Sequence, residues 1–191
     1  MIIRNEVKFI APYSKLINFI NNFGFKKIFE TRKVNSIYYD DVELSYFSAS
    51  EEGTVPRKKV RFRWYGDKFK GYGNLEIKQT YDLHRSKDKI SLKSITNLKN
   101  IEFDVNKQSN KILNPVLKVC YIRDYFYCKN KRINITLDKN IYYYKLNKYY
   151  DEISMVKDHN SILEIKFEKN QDHYHYSGYL NNYRVRNSKY C

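Results

Sequence analysis

The feature that most constrains how this chain can fold is a two-residue alternation of charged and apolar side chains, repeated in segments too short to be helices. In Arg57 to Tyr65, Lys59, Arg61 and Arg63 fall on one face and Val60, Phe62 and Trp64 on the other. Period two marks a strand, because successive side chains of an extended backbone point to opposite faces. The same pattern recurs from Ile2 to Ile10, where Arg4, Glu6 and Lys8 oppose Ile3, Val7 and Phe9. Leu75 to Thr80 sets Glu76, Lys78 and Thr80 against Leu75 and Ile77, and Arg85 to Leu92 puts Lys87 and Lys89 together. Ser161 to Glu168 presents Glu164, Lys166 and Glu168 opposite Leu163, Ile165 and Phe167. Val34 to Tyr39, Val116 to Tyr127 and Arg132 to Leu137 complete the predicted strands. Turns fall at Gly66-Asp67, at Gly71 to Gly73 and at Lys129 to Lys131.

Helical signals are few. Ala11 to Phe23 carries Leu16, Ile17, Phe19 and Ile20 as an apolar stripe, with Ser14 near its start and Gly24 as its stop. Short helices are expected over Val42 to Phe47, within Lys93 to Ile112 and over Tyr174 to Asn182, with a loop from Glu51 to Pro56. About eight strands with few helices predict an α+β chain built on an antiparallel sheet or barrel. Bulky Val60, Phe62, Trp64, Leu75, Ile77, Ile133, Ile135 and Leu137 crowd a small interior, whereas outer helices can cover them. The charged faces are then either simply wet, as in an ordinary small barrel, or, with helices outside, the lining of a tunnel. There Arg4, Lys8, Lys59, Arg61, Arg63, Lys78, Lys87, Lys89 and Arg123 need a multiply charged anion, because enclosed like charges repel and lose solvation. Glu6, Glu76 and Glu164 among those cations imply a divalent cation between carboxylate and phosphate.

Composition supports one domain over residues 1–191 and sharpens the choice of partner. The chain has 191 residues, with 36 Lys plus Arg against 21 Asp plus Glu, a net charge of +15, and 42% hydrophobic residues. That apolar content can build a core, so a disordered basic tail is excluded. No apolar run reaches the ~20 residues of a membrane span, and the first residues lack a secretory apolar stretch. Cys120, Cys128 and Cys191 lack metal-ligand spacing and read as free thiols of a reducing, cytoplasmic compartment. A charge of this size points to nucleic acid, an anionic membrane surface or a phosphate compound.

The ordered motifs decide among these. RNEVKF (Arg4 to Phe9), SIYYDD (Ser36 to Asp41), PRKKVRFRWYGD (Pro56 to Asp67) and LEIK (Leu75 to Lys78) are followed by YIRDYF (Tyr121 to Phe126), RINITLD (Arg132 to Asp138), ILEIKF (Ile162 to Phe167) and RNSKY (Arg186 to Tyr190). In this order they resemble the polyphosphate polymerase (VTC) domain, a branch of the triphosphate tunnel metalloenzymes. The resemblance implies an α+β fold, an eight-stranded antiparallel β-barrel (tunnel) with helices packed outside, and an ATP-dependent, Mn²⁺- or Mg²⁺-dependent enzyme that moves the γ-phosphate of ATP onto a growing polyphosphate chain. It implies that Lys8, Arg61, Arg63, Lys78, Lys87, Arg123, Arg186 and Lys189 contact phosphate, that Glu164 holds the metal with help from Glu6, and that Lys166 is a further phosphate contact.

Two positions depart from the wider pattern. The triphosphatase branch has Glu-x-Glu-x-Lys on the first strand, and here Arg4 takes the first place, which favours polymerisation over hydrolysis. Thr80 stands where some polymerases have a histidine. The alternatives are a tripolyphosphatase or nucleoside triphosphatase of the same fold, and a polyphosphate- or nucleotide-binding module without turnover. Nucleic acid is the weaker reading, because base-stacking platforms do not need carboxylates between their cations. With no regulatory domain or membrane segment expected, any action at a membrane would go through a separate membrane-protein partner. His84, His159, His173 and His175 show no ligand or triad partner. Asp40 and Asp41 read as capping or turn residues, Tyr142 to Tyr144 as packing between strand and helix, and Lys26, Lys27, Lys99, Lys107 and Lys111 as solvated charge.

Overall fold

A computed structural model describes residues 4–82, 84–128, 133–168, 178–185 and 189–190. Ten strands order as β10-β1-β9-β7-β6-β2-β3-β4-β5, with β8 paired to β7. They are β1 (Arg4–Ala11), β2 (Lys26–Asp40), β3 (Arg57–Tyr65), β4 (Gly73–Tyr81), β5 (His84–Leu92), β6 (Asn114–Cys128), β7 (Ile133–Leu146), β8 (Glu152–Asp158), β9 (Ser161–Glu168) and β10 (Arg184–Val185). Among the described residues helices are few: α1 (Tyr13–Asn22), α2 (Ser45–Glu52), α3 (Glu102–Asn106) and two short 3-10 turns. The mostly antiparallel sheet with few helices is the expected architecture. It has ten strands rather than eight, and its pairing path has two ends among the described residues.

The differences from expectation have local causes. Residues 26–33 of β2 are exposed on both faces, so they lack the one-sided apolar pattern that would reveal a strand. β8 is missed for the same reason: residues 152–157 are all exposed, Ile153 and Val156 included. β7 continues past Leu137 to Leu146, which puts Tyr142 and Tyr144 in a strand, their rings stacked at 6.5 Å, rather than between strand and helix. α2 begins at Ser45, not Val42, and takes Glu51 and Glu52 from the expected loop. In the segment after β5, a 3-10 turn at Leu98–Ile101 runs into α3. Residues 174–177 of the last expected helix lie outside the described residues, and 178–183 form a 3-10 turn.

The chain divides into two compact units, and β2, β6, β7 and β8 each give a part to both. In the first unit (residues 1–33, 121–141 and 157–187), the apolar alternates of β1, β7 and β9 form one core with α1. Phe9, Leu137 and Leu163 are fully buried there beside Leu16, Phe19 and Ile20 of the helix. Helix α1 starts after Pro12 and ends at Gly24, whose φ of +69° is a left-handed stop without Cβ strain. In the second unit (residues 34–120, 142–156 and 188–191), Ile37, Tyr39, Val60, Phe62, Leu75 and Ile77 pack with Ile101 and Val105. Burying each such side chain contributes about 1.5–3 kcal/mol before entropy is subtracted. Gly73 is required here, since a Cβ would collide with the Phe62 ring and the Arg63 carbonyl. With the apolar alternates committed to two cores, period two leaves the polar alternates on the opposite faces.

Candidate functional site

In the second unit the register assembles those polar alternates into rows. Arg61 lies opposite Tyr38 on β2 and opposite Glu76 on β4, and Glu76 lies opposite Lys89 on β5. One row further along, Lys59 opposes Lys78, which opposes Lys87, and on the other side Arg63 opposes Ser36. Residues opposed across antiparallel strands share a face. Across β3, β4 and β5 this face therefore carries Arg57, Lys59, Arg61, Arg63, Lys78, Arg85, Lys87 and Lys89, eight cations against the single carboxylate of Glu76.

Glu76 organises the middle of the row. Arg61 donates to Oε2 from Nε at 2.9 Å and from the terminal nitrogen at 2.5 Å, while Lys87 Nζ reaches Oε1 at 3.4 Å. Burial alone would push the Glu76 carboxyl up, but Arg61, Arg63 and Lys87 outweigh it and hold it down at about 2. The other terminal nitrogen of Arg61 donates to Tyr38 Oη at 3.0 Å, and Arg63, buried, donates to Ser36 Oγ at 3.0 Å. Burial pushes the Tyr38 hydroxyl up, yet Arg61, Arg63 and Lys189 bring it down to about 8.

The C-terminal tyrosine completes this face. Tyr190 stacks on Tyr38 at 5.0 Å, donates to Asp40, and lies 6.0 Å from Lys59 Nζ. Asp40 also accepts from the backbone amides of Asp41, Tyr46 and Phe47 at 2.9 Å, and Asp41 accepts from Ser45 N, so both carboxylates cap the turn into α2 as expected. Lys111 is not simply solvated: it reaches Asp41 at 2.5 Å. Lys99 and Lys107 lie over the rings of Tyr149 and Phe103 at 5.3 and 4.3 Å.

In the first unit the polar face is balanced. Lys8 opposes Glu164, which opposes Thr136, and Glu6 opposes Lys166, which opposes Asn134. Lys8 Nζ sits 3.0 Å from Glu6 and 3.8 Å from Glu164, and Lys166 sits 2.6 Å from Glu164. Burial would raise the Glu164 carboxyl, but Lys166, Lys8 and Arg123 hold it well below the usual carboxylate range. Arg123 forms a two-point pair with Asp138, at 2.5 and 2.7 Å, above the Tyr121 ring. Elsewhere in this unit Lys27, expected to be solvated, reaches the buried Asp124 at 2.9 Å beside Lys139 at 2.8 Å.

The sequence-derived residues thus fall into two groups. Lys59, Arg61, Arg63, Glu76, Lys78, Lys87, Lys89 and Lys189 belong to the second unit, and Glu6, Lys8, Arg123, Glu164 and Lys166 to the first. The Arg4 side chain and all of Arg186 lie outside the described residues. The free thiols Cys120 and Cys128 are buried, and Cys191 lies outside the described residues. Sequence reading missed Tyr38, Ser36, Tyr190, Thr136 and Asp138, although every one stands inside one of the eight motifs.

Among the described residues, no group of three or more His, Cys, Asp or Glu side chains converges as a metal cage. The donors of the first unit nevertheless fit a hard divalent ion. Glu6 and Glu164 bracket one ammonium, and across from Glu164 the buried Thr136 hydroxyl has no hydrogen-bond partner among the described residues. Mg²⁺ and similar ions are commonly held by one or two carboxylates, with water and substrate phosphates supplying the rest.

Fold and faces together define a sheet protein that presents a concentrated cationic surface. Solved structures share the fold. A candidate adenylate cyclase from Vibrio parahaemolyticus superposes with a TM-score of 0.55 at 14% identity, covering 97% of this chain and 94% of that one. The PH1012 protein of Pyrococcus horikoshii gives 0.60 at 12% identity, with 98% of both chains covered. A candidate adenylyl cyclase from Hippeastrum with a dominant triphosphatase activity gives 0.53 at 12% identity, covering 100% and 93%. No curated protein sequence matches the chain. The family model of the VTC domain matches residues 10–191, and the chain belongs to that family. RNEVKF lies before the matched span. No helix among the described residues is long and apolar enough to cross a membrane.

Proposed function

We propose that this chain is an ATP- and metal-dependent polyphosphate polymerase acting as one functional domain in the cytoplasm, with ATP and inorganic polyphosphate as its substrates. The observation that carries the reading is the face of eight cations with one carboxylate, an arrangement suited to a polyanion. In the transfer, the bond between the γ-phosphorus and the β–γ bridging oxygen of ATP breaks. A terminal oxygen of the polyphosphate chain bonds to that phosphorus, and ADP leaves. Such transfers need positioning and charge neutralisation more than covalent help. Arg61 and Arg63 offer paired donors to phosphate oxygens, and Lys59, Lys78, Lys87, Lys89 and Lys189 act as mobile charges.

Lys8, Arg123 and Lys166, on the balanced face, are assigned to phosphate contact, and so from sequence are Arg4 and Arg186. Glu164 and Glu6 would hold Mn²⁺ or Mg²⁺, which supplies neutralisation of charge on the phosphate oxygens. Glu76, also assigned to metal from sequence, spends both oxygens on Arg61 and Lys87, so its part is to aim those two cations. A membrane-protein partner, where one is used, would be a separate chain.

Hydrolysis is the second reading, and the shared fold of the Hippeastrum protein with triphosphatase activity favours it. Purified protein with ATP and Mn²⁺ separates the two: ADP with long polyphosphate supports polymerisation, and orthophosphate alone defeats it. Glu164→Gln and Arg61→Ala should each lower turnover by at least about 100-fold. Two variants that matched wild type would sink the site assignment.

A further inference from the structure

The cationic face does not stop at the residues read from sequence. Beyond the Lys59–Lys78–Lys87 row the register continues with Arg57 opposite Thr80 and Thr80 opposite Arg85. These residues lie two positions from Lys59, Lys78 and Lys87, so they point to the same side of the sheet. Arg57 is half-buried and Arg85 exposed. Neither has a carboxylate within ion-pair distance or a side-chain hydrogen-bond partner among the described residues, whereas Arg61 and Lys87 are anchored to Glu76. Thr80 is short, so no tall side chain separates the two guanidinium groups. From Arg63 to Arg57 the four rows extend about 20 Å along the strand, longer than a triphosphate can span.

Resting on the polyphosphate reading above, we infer that Arg57 and Arg85, flanking Thr80, form a distal subsite that contacts only the extended polyphosphate chain. It is the place on this face where chain length is sensed. Phosphates held by Arg61 and Arg63 leave this row empty when the anion is ATP or tripolyphosphate. A longer chain runs on along the strands and meets two arginines with no carboxylate partner among the described residues, which bind phosphate oxygens by charge-assisted hydrogen bonds. Because the row lies beyond the Glu76 anchor, its residues select substrate and do not take part in transfer.

The test measures equilibrium binding of tripolyphosphate and of linear polyphosphate several tens of phosphates long. It compares wild type with the Arg57→Gln/Arg85→Gln double variant. A control, Lys68→Gln/Lys93→Gln, removes the same charge from the exposed opposite end of these strands. The double variant should lose about tenfold or more in affinity for the long chain and less than about threefold for tripolyphosphate, and the control should lose neither. Arg57→Lys/Arg85→Lys should recover part of the long-chain affinity. An equal fall for both ligands, no fall for the long chain, or an equal fall in the control overturns the subsite. A parallel fall for a single-stranded RNA oligonucleotide also overturns it, by making the row a general polyanion surface. Failure of the underlying reading looks different: wild-type protein would then bind neither phosphate chain.

Discussion

The polar faces of the two units use the same residue types to opposite ends. On the first unit Glu6, Glu164 and Asp138 stand against Lys8, Lys166 and Arg123, and each charge meets its opposite within 4 Å. On the second unit, across β3, β4 and β5, the register sets eight cations beside one carboxylate. A balanced face satisfies itself, so removing one member leaves a stranded charge. An unbalanced face is strained by self-repulsion until an anion arrives, so removing a cation costs binding more than stability. On the proposed reading, the first face holds the metal and part of the phosphate with its charges already paired, and the second supplies most of the charge that captures the polyanion.

The largest stability effect should come from breaking the balance. Asp138 is buried, and its partner Arg123 is only 14% exposed at the side chain. Asp138→Asn should therefore lower unfolding free energy by about 3 kcal/mol or more in urea titration, the usual cost of stranding one member of a buried pair. Arg61→Ala should lose under about half of that while abolishing tight tripolyphosphate binding, since relief of repulsion offsets the lost pair. If Arg61→Ala proves the more destabilising of the two, the contrast between the faces fails.

Next comes Glu76→Gln, with an expected loss of about 2 kcal/mol at neutral pH after allowing for screening. Its carboxyl is held at about 2, below the ordinary 4.5. Its contribution is therefore full above about pH 4.5 and disappears as the pH falls towards 2. The variant's stability curve should be flatter than wild type across that window. Saturating tripolyphosphate should restore much of its melting temperature by supplying the missing negative charge. No rescue by the anion would show that Glu76 does more than offset repulsion.

A smaller effect concerns salt. Tripolyphosphate affinity should fall severalfold when ionic strength rises from about 0.05 to 0.3 M, because exposed cations are screened. Lys87→Gln/Lys89→Gln should reduce that dependence, whereas Lys166→Gln on the balanced face should change it less. The smallest effect is spectroscopic: a tyrosinate absorbance appearing at about pH 8 in wild type should vanish in Tyr38→Phe, with stability changed by less than about 1 kcal/mol. A transition that persists in the variant belongs to another tyrosine.

Much of the fold and part of the site are legible in the sequence alone. Arg57–Tyr65 and Ser161–Glu168 are strands with the bounds their alternation predicts, and Arg61, Arg63, Glu164 and Lys166 stand on the polar faces that alternation assigns them. The segments that escape include the first half of β2 and all of β8, whose exposed side chains single out no buried face, and the end of β7 beyond Leu137. Lys27 and Lys111 also escape, since nothing near them in sequence announces Asp124 or Asp41 as a partner. Tyr190 stands within RNSKY, but its role is not readable there, because Tyr38 and Asp40 lie about 150 positions away.

The division follows from the range of the interactions. Alternation is local: backbone geometry sends neighbouring side chains to opposite faces wherever the strand ends up, so the sequence alone determined which residues could share a polar face. Pairing is not local. It depends on which strands close against one another and in what register, and a shift of one residue would have turned Arg61 away from Glu76. Only the tertiary structure decided that Glu76 would meet Arg61 and Lys87, that Asp138 would neutralise Arg123, and that Arg57 and Arg85 would flank Thr80 with no carboxylate between them.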